Sequence, residues 1–148
     1  IIESSQKAAY RAVNTTLIQR NWLLGYRIAS EELQGEDRTK YGAEIIKKLA
    51  KELSAEYGKG FEKSSVFKMV KFYQEFPEYE KVATLSQQLT WSHFVELLPI
   101  EDELKRDFYA TMCKNENWSV RTLRERKKTM LYERTAVSKL PEETRLQS

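Results

Sequence analysis

Apolar residues recur at helical spacing in the first segment of the chain, from about Ser5 to Leu33. They form two adjacent stripes: Tyr10, Val13, Leu17, Leu24 and Ile28 in one, and Ile18, Trp22, Ala29 and Leu33 in the other. Because residues three and four apart share a helix face, the two stripes predict a long helix that is covered on more than one side. Gly25 lies in its middle, where glycine costs about 1 kcal/mol relative to alanine, and it indicates a close approach of another helix or a kink.

Two further helices are predicted next, after Gln34, Gly35 and Glu36 interrupt the pattern. One runs from Thr39 to Tyr57, and Gly58 suits the left-handed conformation that ends many helices. Its apolar face contains Ile45, Ile46, Leu49, Leu53 and Tyr57. The other begins at Ser64 or Ser65, either of which can accept N–H groups of the first turn, and ends at Phe76 before Pro77. Its apolar stripe is Val66, Met69, Val70 and Tyr73, and Ser64, Lys68 and Lys71 lie on the opposite face.

Three more helices are predicted in the second half of the chain. They run from Ser92 to Leu98, from Glu101 to Lys114 with Leu104, Phe108 and Met112 as the buried line, and from Ser119 to Arg134. The signal is weakest from Tyr79 to Leu89, and a hairpin around Ala83 to Thr90 is the one place for a strand. The predicted fold is therefore all-α, a multi-helix bundle with helix-turn-helix character and one short hairpin as an option.

Composition places the chain among ordinary folded domains. The 148 residues are 41% hydrophobic and 32% charged, with a net charge of +3, so one core is sufficient and no apolar run is long enough to span a membrane. Cys113 is the single cysteine and no signal peptide is evident, which favours a cytoplasmic protein. The chain begins with Ile1 and is polar after Pro141, which suggests a piece of a longer protein.

Basic residues crowd the last predicted helix, and Arg121, Arg124 and Lys128 share one face because they are spaced three and four apart. Guanidinium and ammonium groups in a row suit phosphate oxygens, although a merely solvated basic face gives the same pattern. Lys127 interrupts the neighbouring apolar stripe, either as part of this surface or with its aliphatic stem packed and its charge in water.

The helix around Lys68 and Lys71 is a second candidate surface. It would be the second member of a helix-turn-helix, but antiparallel helices without a DNA role produce the same pattern. The predicted contact residues are Lys59, Lys63, Ser64, Ser65, Lys68, Lys71, Arg121, Arg124, Arg126, Lys127 and Lys128.

Catalytic candidates are weak. Glu103-Leu104-Lys105 and Glu125-Arg126-Lys127 spell the Glu-x-Lys triplet of metal-dependent nucleases, but both lie in segments with helical periodicity. His93 is the only histidine, so it is expected to be hydrogen-bonded and partly buried, and Cys113 is expected to be a buried, inert thiol. Trp22, Trp91 and Trp118 are expected to pack in the core. No catalytic residue, metal ligand or cofactor is therefore assigned to this chain.

Several motifs together resemble the N-terminal domain of YhcG-like proteins, from about Tyr10 to Arg134. They are Gly58-Lys59-Gly60-Phe61, Phe72-Tyr73, Leu89-Thr90-Trp91-Ser92-His93-Phe94, Leu97-Leu98, Asn117-Trp118-Ser119-Val120-Arg121-Thr122-Leu123 and Tyr132-Glu133-Arg134. Thr90 stands where the family often has serine. In these bacterial proteins a helical domain of unknown function precedes a PD-(D/E)XK nuclease domain.

The resemblance implies a DNA-binding or DNA-targeting domain with winged-helix-like character, in residues 1–136, with 137–148 as a linker toward a nuclease domain absent from this chain. Catalysis and its divalent metal would belong to that absent domain, and the family supplies no catalytic residue to carry over. The partners implied are DNA, with RNA not separable from sequence, and the protein's own C-terminal nuclease domain. A helical protein-interaction module or homodimer, paired through the long first helix, remains the alternative.

Overall fold

The structure, a computed structural model, describes residues 2–33 and 40–138. Within these ranges the helices are α1 (Ile2–Arg27), α2 (Lys40–Tyr57), α3 (Lys63–Glu75), α4 (Tyr79–Leu85), α5 (Trp91–Leu97), α6 (Glu103–Glu116), α7 (Val120–Lys128) and α8 (Leu131–Ser138). A π-helical segment, Ile28–Leu33, continues α1. The described ranges contain no strand, which confirms the all-α prediction, and a helix and a turn stand where the hairpin was an option. None of the helices in these ranges is long and apolar enough to cross a membrane.

The chain divides into two compact units, Ile1–Trp91 and Ser92–Ser148. The interruption of the helical pattern predicted at residues 34–36 lies outside the described residues, as do residues 139–148 of the predicted linker. Residues 137 and 138 of that linker are the last residues of α8.

The first unit is built on the packing of α1 against α3. Gly25 is buried at the point where they cross, and a Cβ atom built there would overlap the backbone carbonyl oxygen of Met69 and lie 2.7 Å from its carbonyl carbon. The close approach predicted for Gly25 is therefore confirmed. Beside this crossing, a hydrophobic cluster joins the π-helical segment, α2 and α3. Its buried members are Ile28, Leu33, Ile46, Ala50, Val66 and Val70.

The first turns of α1 do not pack as predicted. Residues 3–13 are all exposed, and Tyr10 and Val13 keep 77% and 68% of their surface accessible. The stripe that contains them is therefore wrong at its N-terminal end, although its last member, Ile28, is buried. The physical reason is that a helix stripe is buried only where another element lies beside it, and in the described structure none covers residues 3–13. The second stripe is confirmed at Ile18 and Trp22, which are buried.

Five residues, 58–62, connect α2 to α3, which is longer than the turn of a typical helix-turn-helix, and helix-turn-helix character is not confirmed. Gly58 has the left-handed φ of 84° that was predicted to end α2, but Tyr57 on the predicted apolar face is exposed. The predicted serine cap of α3 is wrong. The helix begins at Lys63, and Ser65 donates from its hydroxyl to the Glu62 carboxylate (3.3 Å) instead of accepting backbone N–H groups.

In the second unit, the buried side of α6 differs from the prediction. Leu104 is 72% exposed and Phe108 and Met112 are only partly buried, whereas Arg106, Tyr109, Ala110 and Cys113 are buried. Two polar residues take the inner positions because they form hydrogen bonds with backbone atoms. The Arg106 guanidinium donates to the Ile100 carbonyl (2.6 Å), and the Tyr109 hydroxyl donates to the Arg126 carbonyl (3.4 Å) and accepts from the Tyr132 N–H (3.2 Å).

The helix predicted from Ser119 to Arg134 is two helices. Ser119 caps α7 as expected, since its hydroxyl accepts the Thr122 N–H at 3.1 Å. The helix then ends at Lys128, and Met130 adopts a left-handed φ of 59° before α8 begins. A residue other than glycine rarely adopts this backbone conformation, and methionine gives no local signal for it. The pattern of apolar and polar residues does not mark the break between the two helices either.

Candidate nucleic-acid interface

The exposed side of α7 carries Arg121, Arg124 and Lys128, all three of them exposed. Leu123, which is fully buried, faces the opposite way and fixes the orientation of the helix about its axis. Spacings of three and four residues bring the three cations within one strip about two turns long. We call this strip, Arg121, Arg124 and Lys128, the α7 basic face. Three cations held on a rigid helix are able to contact successive phosphate oxygens.

An acid on α5 contacts one edge of this face. Oε1 of Glu96 accepts hydrogen bonds from Nε of Arg124 (2.9 Å) and lies 2.9 Å from its Nη2, while Oε2 lies 3.2 Å from Nζ of Lys127. The Lys127 ammonium also donates to the backbone carbonyl of Glu96. Arg124 remains 63% exposed at its side chain whereas Lys127 is 21% exposed, so Lys127 is largely committed to Glu96 and Arg124 still reaches solvent.

The charge of Glu96 depends on these two cations. Partial burial raises the pKa of its carboxyl, but the hydrogen bonds and positive charges of Arg124 and Lys127 outweigh burial and hold the pKa below its ordinary value. Glu96 is thus ionised at neutral pH. Sequence reasoning missed this residue because it lies 28 positions from Arg124 along the chain, and no local spacing connects them.

Arg126 lies on another side of α7, and the two Glu-x-Lys triplets, which were not predicted to be catalytic, are helical. Arg126 is exposed on a different side of α7, with its Cζ 5.8 Å from the centre of the Trp118 ring, a cation–π distance. Both Glu-x-Lys triplets lie on helices, in α6 and α7, as the periodicity predicted. The described residues contain no group of three or more histidine, cysteine, aspartate or glutamate side chains placed to hold a metal ion.

The single histidine and the single cysteine of the sequence are both buried. His93 is buried, and its Nε2 lies 2.7 Å from the Trp118 carbonyl, so a hydrogen bond holds the ring in place. Cys113 is buried and burial raises the pKa of its thiol to about 12, which leaves it protonated at neutral pH. The prediction of a hydrogen-bonded histidine is confirmed, and so is the predicted burial of the thiol. Of the tryptophans, Trp22 is buried as expected, whereas Trp91 and Trp118 are partly exposed.

A second basic surface lies on α3 in the first unit. Lys63, Ser64 and Lys68 are exposed there and Lys71 is partly exposed, on the side away from the buried Val66, Met69 and Val70. Sequence reasoning did not single out Phe67, which lies among these lysines and is 51% exposed. We call the set Lys63, Phe67, Lys68 and Lys71 the α3 basic face.

The turn before α3 contains one acid. Glu62 accepts from its own backbone N–H and from the Gly60 N–H, and these hydrogen bonds, with that of Ser65 and the charge of Lys59, hold its pKa below the ordinary value. Ser65 is engaged by that carboxylate and is only partly exposed, and Lys59 is exposed in the turn itself. The α7 basic face and the α3 basic face belong to different units and are treated separately.

Comparison with known proteins identifies the family. The sequence model of the DUF1016 N-terminal domain matches residues 1–134. An Escherichia coli (strain K12) protein named "Putative nuclease YhcG" is 30% identical over 167 aligned positions, which cover 93% of this chain and 44% of that protein. The chain therefore spans less than half the length of this curated relative. No solved structure matches the chain.

Proposed function

The chain belongs to the DUF1016 N-terminal domain family, and on that premise we propose that it binds DNA through contacts with the phosphate backbone of the DNA. The α7 basic face carries the proposal: Arg121, Arg124 and Lys128 lie exposed in one strip, with Leu123 directing them away from the interior. Phosphate contacts fix position without reading sequence, so affinity would be strongly salt-dependent and have little sequence preference. The α3 basic face, with Lys59 and Ser64 beside it, would add a second binding surface.

The DNA-binding role would serve a nuclease domain. A relative named as a nuclease extends well beyond the part that this chain covers, and catalysis with its divalent metal would belong to residues outside the present sequence. In this proposal the chain contributes no catalytic group. Its own residues position the substrate, and the C-terminal nuclease domain is their partner.

The test is a fluorescence-anisotropy titration of labelled duplex and four-way-junction DNA at about 50 and 200 mM salt. Binding to DNA phosphates releases counterions and therefore weakens as salt increases, which distinguishes it from other binding. The variant R121A/R124A/K128A removes the α7 basic face. We expect weaker binding and a slope of log affinity against log salt that is shallower by about 3, one for each phosphate that the variant no longer neutralises.

A matched control is K47A/K48A/K51A, since these three lysines are exposed on α2 and their loss changes the net charge by the same amount. It should leave the salt slope close to that of the wild type. Because removing Arg124 also affects Glu96, the double variant R121A/K128A is measured in parallel, with a slope shallower by about 2. Equal binding by the wild type and the α7 variants at both salt concentrations would refute the proposal.

A protein-interaction role is the second candidate, and the exposed start of α1 favours it. Tyr10 and Val13 present apolar surface there. The occupant we infer is a second copy, because the exposed apolar patch of Tyr10 and Val13 is able to pack against the same patch of another copy about a two-fold axis. Light scattering of the wild type and of Y10S/V13S tests it: a dimer that the variant converts to a monomer supports this role, and a monomeric wild type excludes it.

A further inference from the structure

Phe67 is an exposed aromatic residue in a strongly basic surrounding. Its ring keeps 51% of its surface accessible on the outer side of α3. Lys63 and Lys71 lie four residues before and after it, so they stand one turn away on either side, about 6 Å along the helix axis. Lys68 is the next residue along the chain and is also exposed.

The core does not require this ring. On the inner side of the same helix, Phe72 is fully buried, and it packs against Phe76 and Trp91 at ring-centre distances of 5.6 and 5.1 Å. Val66 and Met69 fill the neighbouring inner positions. Phe67 is therefore only about half buried, and its exposed half costs hydrophobic free energy that a more polar residue would not.

The charged residues of α3 within four positions of Phe67 are all lysines. Between Lys63 and Gln74 the sequence of α3 contains three lysines and no acid. Glu62, just before the helix, already accepts hydrogen bonds from Gly60 and Ser65. A ligand that approaches Phe67 thus meets an aromatic face flanked by cations, which suits a flat, electron-rich ring joined to negative groups at either end.

We propose that the α3 basic face binds an unpaired nucleobase of a DNA strand, with the base stacked on Phe67 and the flanking phosphates on Lys63 and Lys71. This inference rests on the proposed function and names its substrate class. Aromatic side chains stack on any base, and the interaction is independent of sequence. In an intact duplex the base faces are covered by their neighbours, so a ring that projects from a helix reaches a base only at gaps, ends, branches or single strands.

The test compares a labelled oligo-dT strand with a blunt duplex of equal length, using wild type, F67A, F67L and F67W. Loss of one base stack is worth about 1–3 kcal/mol, so F67A should bind oligo-dT roughly 5- to 150-fold more weakly. Affinity for the duplex should change less than about twofold. F67L keeps apolar bulk without a ring and should remain weak on oligo-dT, whereas F67W should restore binding.

Tryptophan at position 67 also gives a direct readout, because a stacked base quenches its fluorescence. Quenching of F67W by oligo-dT should exceed that of the wild type, which carries Trp22, Trp91 and Trp118. The matched control is Y57A, which removes an exposed aromatic residue of the same unit from outside the α3 basic face. It should leave binding of both DNAs unchanged.

Three results would overturn the inference. The first is equal affinity of F67A and wild type for oligo-dT while both still bind duplex in a salt-dependent manner, which would leave the proposed DNA-binding function standing. The second is a change in solution mass on F67A, which would make Phe67 part of a subunit interface. The third is tighter Phe67-dependent binding of oligo-U than of oligo-dT, which would assign the site to RNA. A wild type that binds neither DNA would refute both proposals.

Discussion

Replacing Gly25 with alanine is the sharpest test of the packing between α1 and α3. The added methyl group would overlap the Met69 carbonyl group and lie 3.2 Å from the Cβ of Tyr73. Backbone atoms of α3 cannot rotate away as a side chain can. The two helices would therefore have to separate, and a gap of about 0.5–1 Å already forfeits a quarter to a half of each dispersion attraction at their interface.

The expected magnitude follows from two opposing effects. Alanine is favoured over glycine within a helix by about 1 kcal/mol, which alone would stabilise the variant. Overpacking a close helix interface costs typically about 1–3 kcal/mol, and more when backbone must move. Since the overlap here is with backbone, we take the overpacking cost to be about 2–4 kcal/mol, which leaves a net loss of about 1–3 kcal/mol in the free energy of unfolding, or roughly 3–12 °C in Tm.

The assay is urea unfolding, followed by circular dichroism and by tryptophan fluorescence, in which Trp22 reports on the first unit. T16A is the control, because Thr16 is exposed on the same helix and its change to alanine should be neutral or slightly stabilising. Both variants should retain wild-type helicity in the absence of urea. If G25A were as stable as wild type or more stable, the close approach of the two helices would be wrong.

Three further predictions concern the second unit. Because Arg124 and Lys127 lower the folded pKa of Glu96, its contribution to stability is complete above the unfolded pKa of about 4.3 and is lost as pH falls through the folded pKa. Urea midpoints measured from about pH 6 down to about pH 3 should therefore fall more steeply for wild type than for E96Q. Parallel profiles of the two proteins would contradict this. With its pKa raised to about 12, Cys113 should not react with a thiol reagent at about pH 8 until urea unfolds the protein, and rapid reaction of the native protein would show that the thiol is accessible. Replacing Ser119 with alanine removes the hydroxyl that accepts the Thr122 N–H and should cost about 1 kcal/mol by urea unfolding, whereas S119D, which preserves an acceptor, should cost much less.

The sequence predicts the helices better than their buried sides. Local signals place the end of α2 at Gly58, the cap of α7 at Ser119 and the close approach at Gly25, because each depends on the conformation or size of one residue. The buried side of α6 could not be predicted this way. Arg106 is buried there because the carbonyl groups of Ile100 and Glu101, just before the helix, accept its hydrogen bonds, while Leu104, the more hydrophobic residue, is exposed.

For the candidate interface, the sequence likewise predicts what depends on local spacing and misses contacts between residues far apart in the chain. Spacing alone places Arg121, Arg124 and Lys128 on one face, since helical geometry is local. It gives no information about Glu96, which reaches Arg124 and Lys127 only through the packing of α5 beside α7. Nor does periodicity separate Phe67 from the core aromatic residue Phe72 five positions later, because both fit an apolar residue on a helix that has more than one covered side.

The left-handed residue Met130 limits the length of any DNA segment bound along α7. A helix of nine residues is about 14 Å long, which matches roughly four base pairs of a duplex lying beside it. Had the helix continued unbroken to Arg134, its span would approach roughly seven base pairs. If the proposed function is correct, the footprint of this helix would therefore be short, and protection of a longer stretch of DNA by the chain would require binding by a surface other than α7.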